Sequence, residues 1–312
     1  MIRVIKPGSQ TTIQSRPRIG LRHRGVPSGG AADPLSLALA NRLVGNKWDA
    51  PALEAVLLGP TLCFDRPCAI SIAGGEVVAT LNGRTINSHE CIPVCGGDVL
   101  AIGGVSAGAR IYIGFSGGLE IKSILGSSST NLQAAFGGLD GRELRSGDTL
   151  RALASMAEEA STPERFRPRW LASVALRTCA ALETCLLDGM QQTALFESKW
   201  QVGQRADRMG IRLGGGVLDI TSDGRMPSAA VFPGTVQCPE DGAPYLLSVD
   251  AGTVGGYPRI AQVARLDLHM LGQLRPGGRI QLLKTDADES VTLLRAKHEY
   301  WREWLPEIAE II

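Results

Sequence analysis

The sequence predicts a mainly β protein with a few helices, arranged as barrels or sandwiches. Three observations carry that expectation. Glycine (38) and proline (17) recur through most of the 312 residues, which suits many short strands and turns better than long helices. Short apolar runs alternate with turn residues at close spacing. Asn82-Gly83, between two such runs, is a strong hairpin signal.

In chain order, the runs Ala52–Leu58, Thr61–Phe64, Ala69–Ala73, Val77–Leu81, Val99–Ile102 and Arg110–Phe115 read as strands. One helix stands out among them. Asp33 supplies its N-cap and Pro34 its first position, as both residue types prefer. Leu35, Leu39 and Leu43 form its apolar stripe and Gly45-Asn46 ends it, in the manner of a C-terminal glycine. Residues 151–168, centred on Met156-Ala157-Glu158-Glu159-Ala160-Ser161-Thr162-Pro163-Glu164, read as a linker or an exposed helix. They suggest one domain over 1–160 and a second over 161–312.

The second half is again strand-rich, with helices expected near Ile260–Leu274 and Asp288–Leu305. The last carries Leu293, Leu294, His298, Trp301 and Trp304 at helical spacing and reads as an amphipathic helix packed on its own domain. Arg18-Ile19-Gly20-Leu21-Arg22 recurs 190 residues later as Arg208-Met209-Gly210-Ile211-Arg212. That echo suggests a duplicated β unit.

Composition excludes several classes of function. The net charge is +1 and aromatics are 5%, so neither nucleic acid nor an anionic membrane surface is expected as a partner. The most apolar window, Val99 to Leu119, is rich in glycine and broken by Arg110, so no membrane span is expected. The first residues show no signal-peptide pattern. The seven cysteines are an odd set without a C-x-x-C pair, which points to a reduced, cytoplasmic location. Four scattered histidines give no ligand-spaced cluster, and no metal site is expected.

The motif search is informative in part through what is missing. No G-x-x-x-x-G-K-[ST] phosphate loop occurs, no G-x-G-x-x-G opens a helix after a strand, and no Met-Lys-Met segment of the biotin-carrier type is present. Gly114-Phe115-Ser116-Gly117-Gly118 fits G-x-S-x-G, but a nucleophile elbow needs a helix directly after it. Here Leu119-Glu120-Ile121-Lys122 alternates like a strand, so the motif reads as a glycine corner. Gly126-Ser127-Ser128-Ser129-Thr130-Asn131 with Lys122 nearby resembles an amidase Ser/Lys pair only faintly, and reads as a polar capping loop.

The second half holds the stronger constellation. Asp250-Ala251-Gly252-Thr253-Val254-Gly255-Gly256-Tyr257-Pro258-Arg259 follows the apolar run Pro244–Val249. An acid ends the strand, a hydroxyl follows three residues on, and two glycines are expected to turn the chain tightly with positive φ. Taken alone the ten residues fit an ordinary hairpin turn as well as a site loop. Asp207, Arg208 and Arg212 precede a glycine turn, and Gln237-Cys238-Pro239 lies between two strand-like runs. Arginine suits a carboxylate or phosphate, and Gln237 can both donate to and accept from an amide or urea-like group. Thr253 and the amides of Gly255 and Gly256 could stabilise a developing oxyanion.

Several longer motifs in a fixed order then identify a relative. They are Gly25-Val26-Pro27-Ser28-Gly29-Gly30-Ala31-Ala32-Asp33, Ala40-Asn41-Arg42-Leu43-Val44-Gly45-Asn46, Ala52-Leu53-Glu54, Leu125-Gly126-Ser127-Ser128-Ser129-Thr130, Phe136-Gly137-Gly138 and Gly141-Arg142. Asp207–Leu213, Val236-Gln237-Cys238-Pro239 and the Asp250 loop continue the series. With these the chain resembles the KipA family, also called allophanate hydrolase subunit 2 or the 5-oxoprolinase C subunit. It is similar to part of the biotin-dependent carboxyltransferase region of urea carboxylase.

The resemblance implies two cyclophilin-like β-barrel units and a heteromeric complex. A KipI-like (subunit-1) partner and a third, LamB-type subunit would complete it, with a small amide as substrate. It implies ATP-dependent ring opening of pyroglutamate as the activity, with ATP and magnesium handled by the complex. The alternatives are a carboxyltransferase component of a urea carboxylase or allophanate hydrolase system, in which biotin takes part, and a KipA-like regulatory binding protein without catalysis. Catalytic roles fall to Arg208, Asp250, Thr253, Gly255 and Gly256. Substrate-binding roles fall to Ser28, Gly29, Asp33, Asp207, Arg212, Gln237 and Tyr257. The chain departs from the family's usual Gln-Thr-Thr-Gly-Gly-Tyr at Gly252 and Val254. It also has Thr178-Cys179-Ala180-Ala181 where a Pro-Gly-Pro turn is expected near Arg177.

Overall fold

The structure is a computed structural model that describes residues 1–153, 157–220 and 226–312. The chain divides into two compact units. Met1–Arg18, Gly29–Trp170 and Trp301–Ile311 make the first, and Ile19–Ser28, Leu171–Tyr300 and Ile312 make the second. Both are built mostly of strands.

In the first unit the described strands are β1 (Ile2–Lys6), β2 (Gln10–Gln14), β3 (Ala52–Val56), β4 (Thr61–Phe64), β5 (Cys68–Leu81), β6 (Arg84–Ile86), β7 (Ile92–Val94), β8 (Val99–Phe115) and β9 (Thr149–Leu150). They form one sheet in the order β2-β3-β8-β4-β1-β9, with β5 pairing β6, β7 and β8. The runs 69–73 and 77–81 are a single strand here, as are 99–102 and 110–115. Register shifts between Gly74 and Ala79 let β5 follow β8 around the bend, as bulges do. Asn82 and Gly83 both take positive φ, 52° and 78°, and Leu81 pairs with Arg84. That is the two-residue hairpin geometry the sequence predicts.

Helix α1 (Pro34–Leu43) starts where expected. The Asp33 carboxylate accepts from the Ser36 N–H at 3.1 Å, and Gly45, at φ 71°, follows the last turn. Leu35, Leu39 and Leu43 are buried. The core of this unit gathers Ile13, Leu53, Phe64, Ile72, Leu100, Ile111 and Phe115 from the sheet.

The second unit contains the strands β10 (Ser173–Ala180), β11 (Lys199–Ala206), β12 (Gly210–Gly214), β13 (Ala229–Ala230), β14 (Thr235–Gln237), β15 (Tyr245–Leu247), β16 (Val254–Gly255), β17 (Arg259–Val263) and β18 (Arg279–Thr285). Seven of them close a barrel in the order β10-β17-β14-β15-β12-β11-β18. The other two, β13 and β16, pair as a separate ribbon. Helix α2 (Gly189–Glu197) and the long α3 (Ala287–Arg302), all but its last two residues, belong to this unit, while α4 (Ile308–Ile311) belongs to the first. Leu176, Trp200, Leu213, Val236, Leu246, Ile260 and Leu282 fill the barrel interior.

Three local expectations change. The helix expected at 260–274 is strand β17 followed by a 3-10 helix over Arg265–Gln273. Ile260, Ala261 and Val263 are buried by pairing with β14 and β10, so barrel closure overrides the helical spacing. In the segment 151–168, read as a linker or an exposed helix, residues 154–156 lie outside the described residues and 157–168 hold a single 3-10 turn, Glu164–Phe166, so of the two alternatives only the exposed helix is set aside. The two copies of the five-residue echo differ in structure. Gly20 sits in a turn at φ 80°, whereas Gly210 begins β12, so the echo does not mark equivalent elements.

No described helix is long and apolar enough to cross a membrane. All seven cysteines are free thiols. Ser116 is buried, and its hydroxyl accepts the Ala69 N–H at 3.0 Å, so the G-x-S-x-G segment is a structural corner. Ser127, Ser129 and Ser15 form a buried hydroxyl cluster, while Lys122 is exposed.

Candidate functional site

The site loop is anchored at its start by a buried ion pair. Arg208 follows the strand β11 at the tip of a hairpin. There the Asp207 carboxylate accepts the N–H groups of Met209 (2.7 Å) and Gly210 (3.0 Å), an Asx turn. The turn aims Arg208 inward. Its Nε donates to Asp250 Oδ2 at 2.7 Å and its Nη2 to Oδ1 at 3.1 Å. Both side chains are 5% exposed. The Asp250 N–H returns to the Arg208 carbonyl at 2.7 Å. A bidentate pair of this kind is directional as well as strong, so Asp250 and the chain after it are held to the hairpin.

Beyond Asp250 the chain enters the β13–β16 ribbon. Val231 N–H donates to the Thr253 carbonyl at 3.2 Å, and Ala230 pairs with Val254. Gly255 and Gly256 have no positive φ, which corrects the expectation of a tight glycine turn. The need for glycine at 255 has a different cause. A Cβ there would lie 2.6 Å from Gln237 Nε2 and 3.3 Å from its Oε1. Gln237 is buried on β14 and donates to the Tyr257 carbonyl at 3.1 Å. Its amide and the loop backbone are thus in close contact, which a side chain would prevent.

The ribbon is also held by two arginines. Arg259 Nη1 donates to the Ala230 carbonyl at 3.0 Å while its Nε and Nη2 grip Glu183. The Arg259 hydrogen bond holds the Glu183 carboxyl below the usual carboxylate range. Arg22, from the segment 19–28, donates through Nη2 to the carbonyls of Val231 and Gly252. Burial pulls its guanidinium pKa below the ordinary value. A groove of about 380 Å³ beside the ribbon is lined by Leu182, Ala230, Phe232, Thr235, Arg259 and Gln262.

The structure therefore brings Arg208, Asp250, Thr253, Gly255, Gly256, Gln237 and Tyr257 onto one loop and its supports. Among the described residues, the N–H groups of Gly252, Thr253, Gly256 and Tyr257 donate to no protein acceptor. Val254 and Tyr257 are exposed. Backbone donors beside a neutral side-chain amide can bind a polarised carbonyl oxygen. Ser28 lies near the loop's support, 3.5 Å from Arg22 Nη1. Asp207 is used in its own turn. Arg212 forms an exposed ion pair with Asp241 at 2.6 Å, and the Ala243 N–H and Arg212 hold that carboxyl below its usual range.

Gly29 and Asp33 belong to the first unit. Gly29 has φ 58°. Asp33 is fully buried as the cap of α1, and its N–H donates to Tyr112 Oη at 2.8 Å. Tyr112 in turn donates to Glu54 at 2.7 Å. Burial, then the Glu54 charge, raises the Tyr112 pKa well above the ordinary value. Sequence reasoning did not single out Arg22. Its one signal was membership of the Arg-x-Gly-x-Arg echo, which gives no hint of contact with residues 231 and 252. No group of three or more His, Cys, Asp or Glu among the described residues is placed to hold a metal ion.

Comparison with known proteins gives this geometry a family. The chain is 32% identical to the 5-oxoprolinase C subunit of Escherichia coli, over 97% of both proteins. It is 31% identical to the Haemophilus influenzae protein of the same name, over 99% of both. Urea amidolyase of Lachancea kluyveri is 33% identical over 90% of this chain, which spans 17% of that protein. The solved structure of Kluyveromyces lactis urea amidolyase superposes with a TM-score of 0.89 at 29% identity, covering 95% of this chain and 19% of that one. Residues 24–284 match the family described as carboxyltransferase domain, subdomain A and B. The chain belongs to that carboxyltransferase-domain family.

Proposed function

We propose that the chain is the C subunit of a heteromeric, ATP-dependent 5-oxoprolinase, which opens the lactam of pyroglutamate. The observation that carries this reading is the match to two 5-oxoprolinase C subunits over at least 97% of each chain. Ring opening cleaves the lactam C–N bond and adds water. The oxygen goes to the carbonyl carbon and a proton to the departing nitrogen. Negative charge grows on the carbonyl oxygen during that addition. The N–H groups of Thr253 and Gly256 are the donors assigned to it, with the Thr253 hydroxyl beside them, while Gly255 keeps the loop backbone close against the Gln237 amide. Gln237 and Tyr257 contact the amide, and Ser28, Asp207 and Arg212 are assigned to substrate binding on the same unit. Arg208 and Asp250 hold the loop in register. Gly29 and Asp33 keep the roles that a backbone turn and the α1 cap give them in the first unit.

The enzyme is completed by a KipI-like subunit and a LamB-type third subunit, and it works in the cytoplasm. ATP with magnesium drives the reaction at the level of the complex. The described residues of the loop include no carboxylate cluster to hold that metal ion. The test is to purify the chain with both partner subunits and measure pyroglutamate-dependent ATP hydrolysis and glutamate release. Absence of turnover with all three present overturns the reading.

A second reading, transfer of a carboxyl group from carboxybiotin to urea or a related amide, is favoured by the urea amidolyase relatives and the family assignment. Urea-dependent loss of carboxybiotin, with no response to pyroglutamate, would select it.

A further inference from the structure

Arg22 is 230 residues from Gly252 in sequence, yet its Nη2 donates to the Gly252 carbonyl at 3.0 Å and to the Val231 carbonyl. The guanidinium also lies over the Phe232 ring, 5.3 Å from its centroid. Among the described residues its contacts are two carbonyls, this ring and hydroxyl Oγ of Ser28. None is a carboxylate. A surface arginine selected for stability commonly pairs with an acid, as Arg212 does with Asp241. Arg22 instead directs its hydrogen bonds to the backbone of the site loop and the strand beside it.

That choice sets the direction of one peptide group. The Gly252–Thr253 peptide is trans, and in a trans peptide the carbonyl and the following N–H point to opposite sides. Holding the Gly252 carbonyl towards Arg22 therefore turns the Thr253 N–H away from Arg22. The next peptide is fixed independently, because the Thr253 carbonyl accepts the Val231 N–H at 3.2 Å. Val231 is buried and gives its own carbonyl to Arg22. One guanidinium thus locks both sides of the contact between residues 231 and 252–253. The Thr253 N–H is left with no protein acceptor among the described residues.

We propose that Arg22 is a positioning residue of the site, which fixes the Gly252–Thr253 peptide so that the Thr253 N–H is presented to the substrate's carbonyl oxygen. The role rests on the reading of this loop as an amide-carbonyl site. A planar guanidinium suits it because one nitrogen carries two N–H groups in fixed directions. A lysine at 22 would keep the charge without that geometry.

Two measurements on the full-length chain test the assignment. In the complex with its partner subunits, Arg22→Ala is expected to lower kcat for pyroglutamate at least tenfold with KM changed less than threefold. Millimolar guanidinium ion should restore part of that loss, and Arg22→Lys should fall between the two. In the isolated chain, amide exchange at Val231 should rise at least tenfold in Arg22→Ala, while the barrel amide of Val202 keeps its protection. Unchanged kcat in an active complex, or unchanged Val231 exchange, overturns the assignment. So does equal acceleration at Val202, which would mean general destabilisation. If the wild-type complex itself lacks turnover but Val231 protection depends on Arg22, the 5-oxoprolinase reading falls and the positioning of the loop by Arg22 stands.

Discussion

Gly255 and Gln237 touch so closely that a Cβ on the glycine would come within 2.6 Å of the glutamine Nε2. The contact joins β16 of the ribbon to β14 of the barrel, and Gln237 also holds the Tyr257 carbonyl. Gly255→Ala must displace a buried amide or the loop. The expected result is a stability loss of about 1–3 kcal/mol, the usual range for overpacking, and at least a tenfold fall in kcat. Denaturant unfolding and steady-state rates of the complex check it. Gly252→Ala meets its nearest atom at 3.5 Å and should be far milder.

Arg208 and Asp250 form a pair with both side chains buried. Removing Arg208 leaves the Asp250 carboxylate buried without its counterpart, which costs about 3–5 kcal/mol. Arg208→Met should therefore destabilise the chain by that amount in urea unfolding. A double Arg208→Met, Asp250→Leu variant should recover much of the stability but not the activity. Recovery of both would remove the pair from the site.

His89 gives stability a pH dependence. It is buried in the first unit against Thr162, and burial lowers its pKa from 6.5 to about 4, with Arg167 adding to the shift and Glu164 opposing it. The folded form thus binds a proton less readily than the unfolded chain. Its contribution is fully present above about pH 6.5 and is lost as pH falls towards 4, up to about 3 kcal/mol in total. His89 has φ 63°, a conformation asparagine tolerates. Unfolding of His89→Asn followed from pH 7 to pH 4 should show a slope reduced by close to one proton.

Ser116 is the motif serine without access. Its hydroxyl accepts the Ala69 N–H inside the first unit. Ser116→Ala should cost about 1–2 kcal/mol, from the buried donor it leaves unsatisfied, and should change the rate of the complex less than twofold. A rate loss beyond tenfold with normal unfolding would reopen the serine-hydrolase interpretation.

The parts of the fold legible in the sequence were those governed by neighbours along the chain. Asp33-Pro34 set the start of α1 and Asn82-Gly83 set a hairpin, because capping and positive φ are local properties. The strand runs of the first half were visible for the same reason, although the register shifts near Gly74 that join two of them were not. The helix expected at 260–274 failed because its apolar spacing suits a buried strand equally well, and only pairing with β10 and β14 decides between them. Within the candidate site, the ordered motifs located Asp250, Thr253, Gly255 and Gln237. They did not disclose that Arg208 and Asp250 face each other, or that Arg22 reaches the loop.

By itself, then, the sequence determined a strand-rich class, the principal cap and turns, and a family identified by motifs in order. Tertiary structure alone decided what each polar group is used for. The glycine at 255 is required by a neighbouring amide rather than by its own φ, and an arginine near the start of the chain orients a peptide 230 residues away. Such contacts depend on how a closed barrel brings distant backbone groups together, and no local propensity encodes that closure.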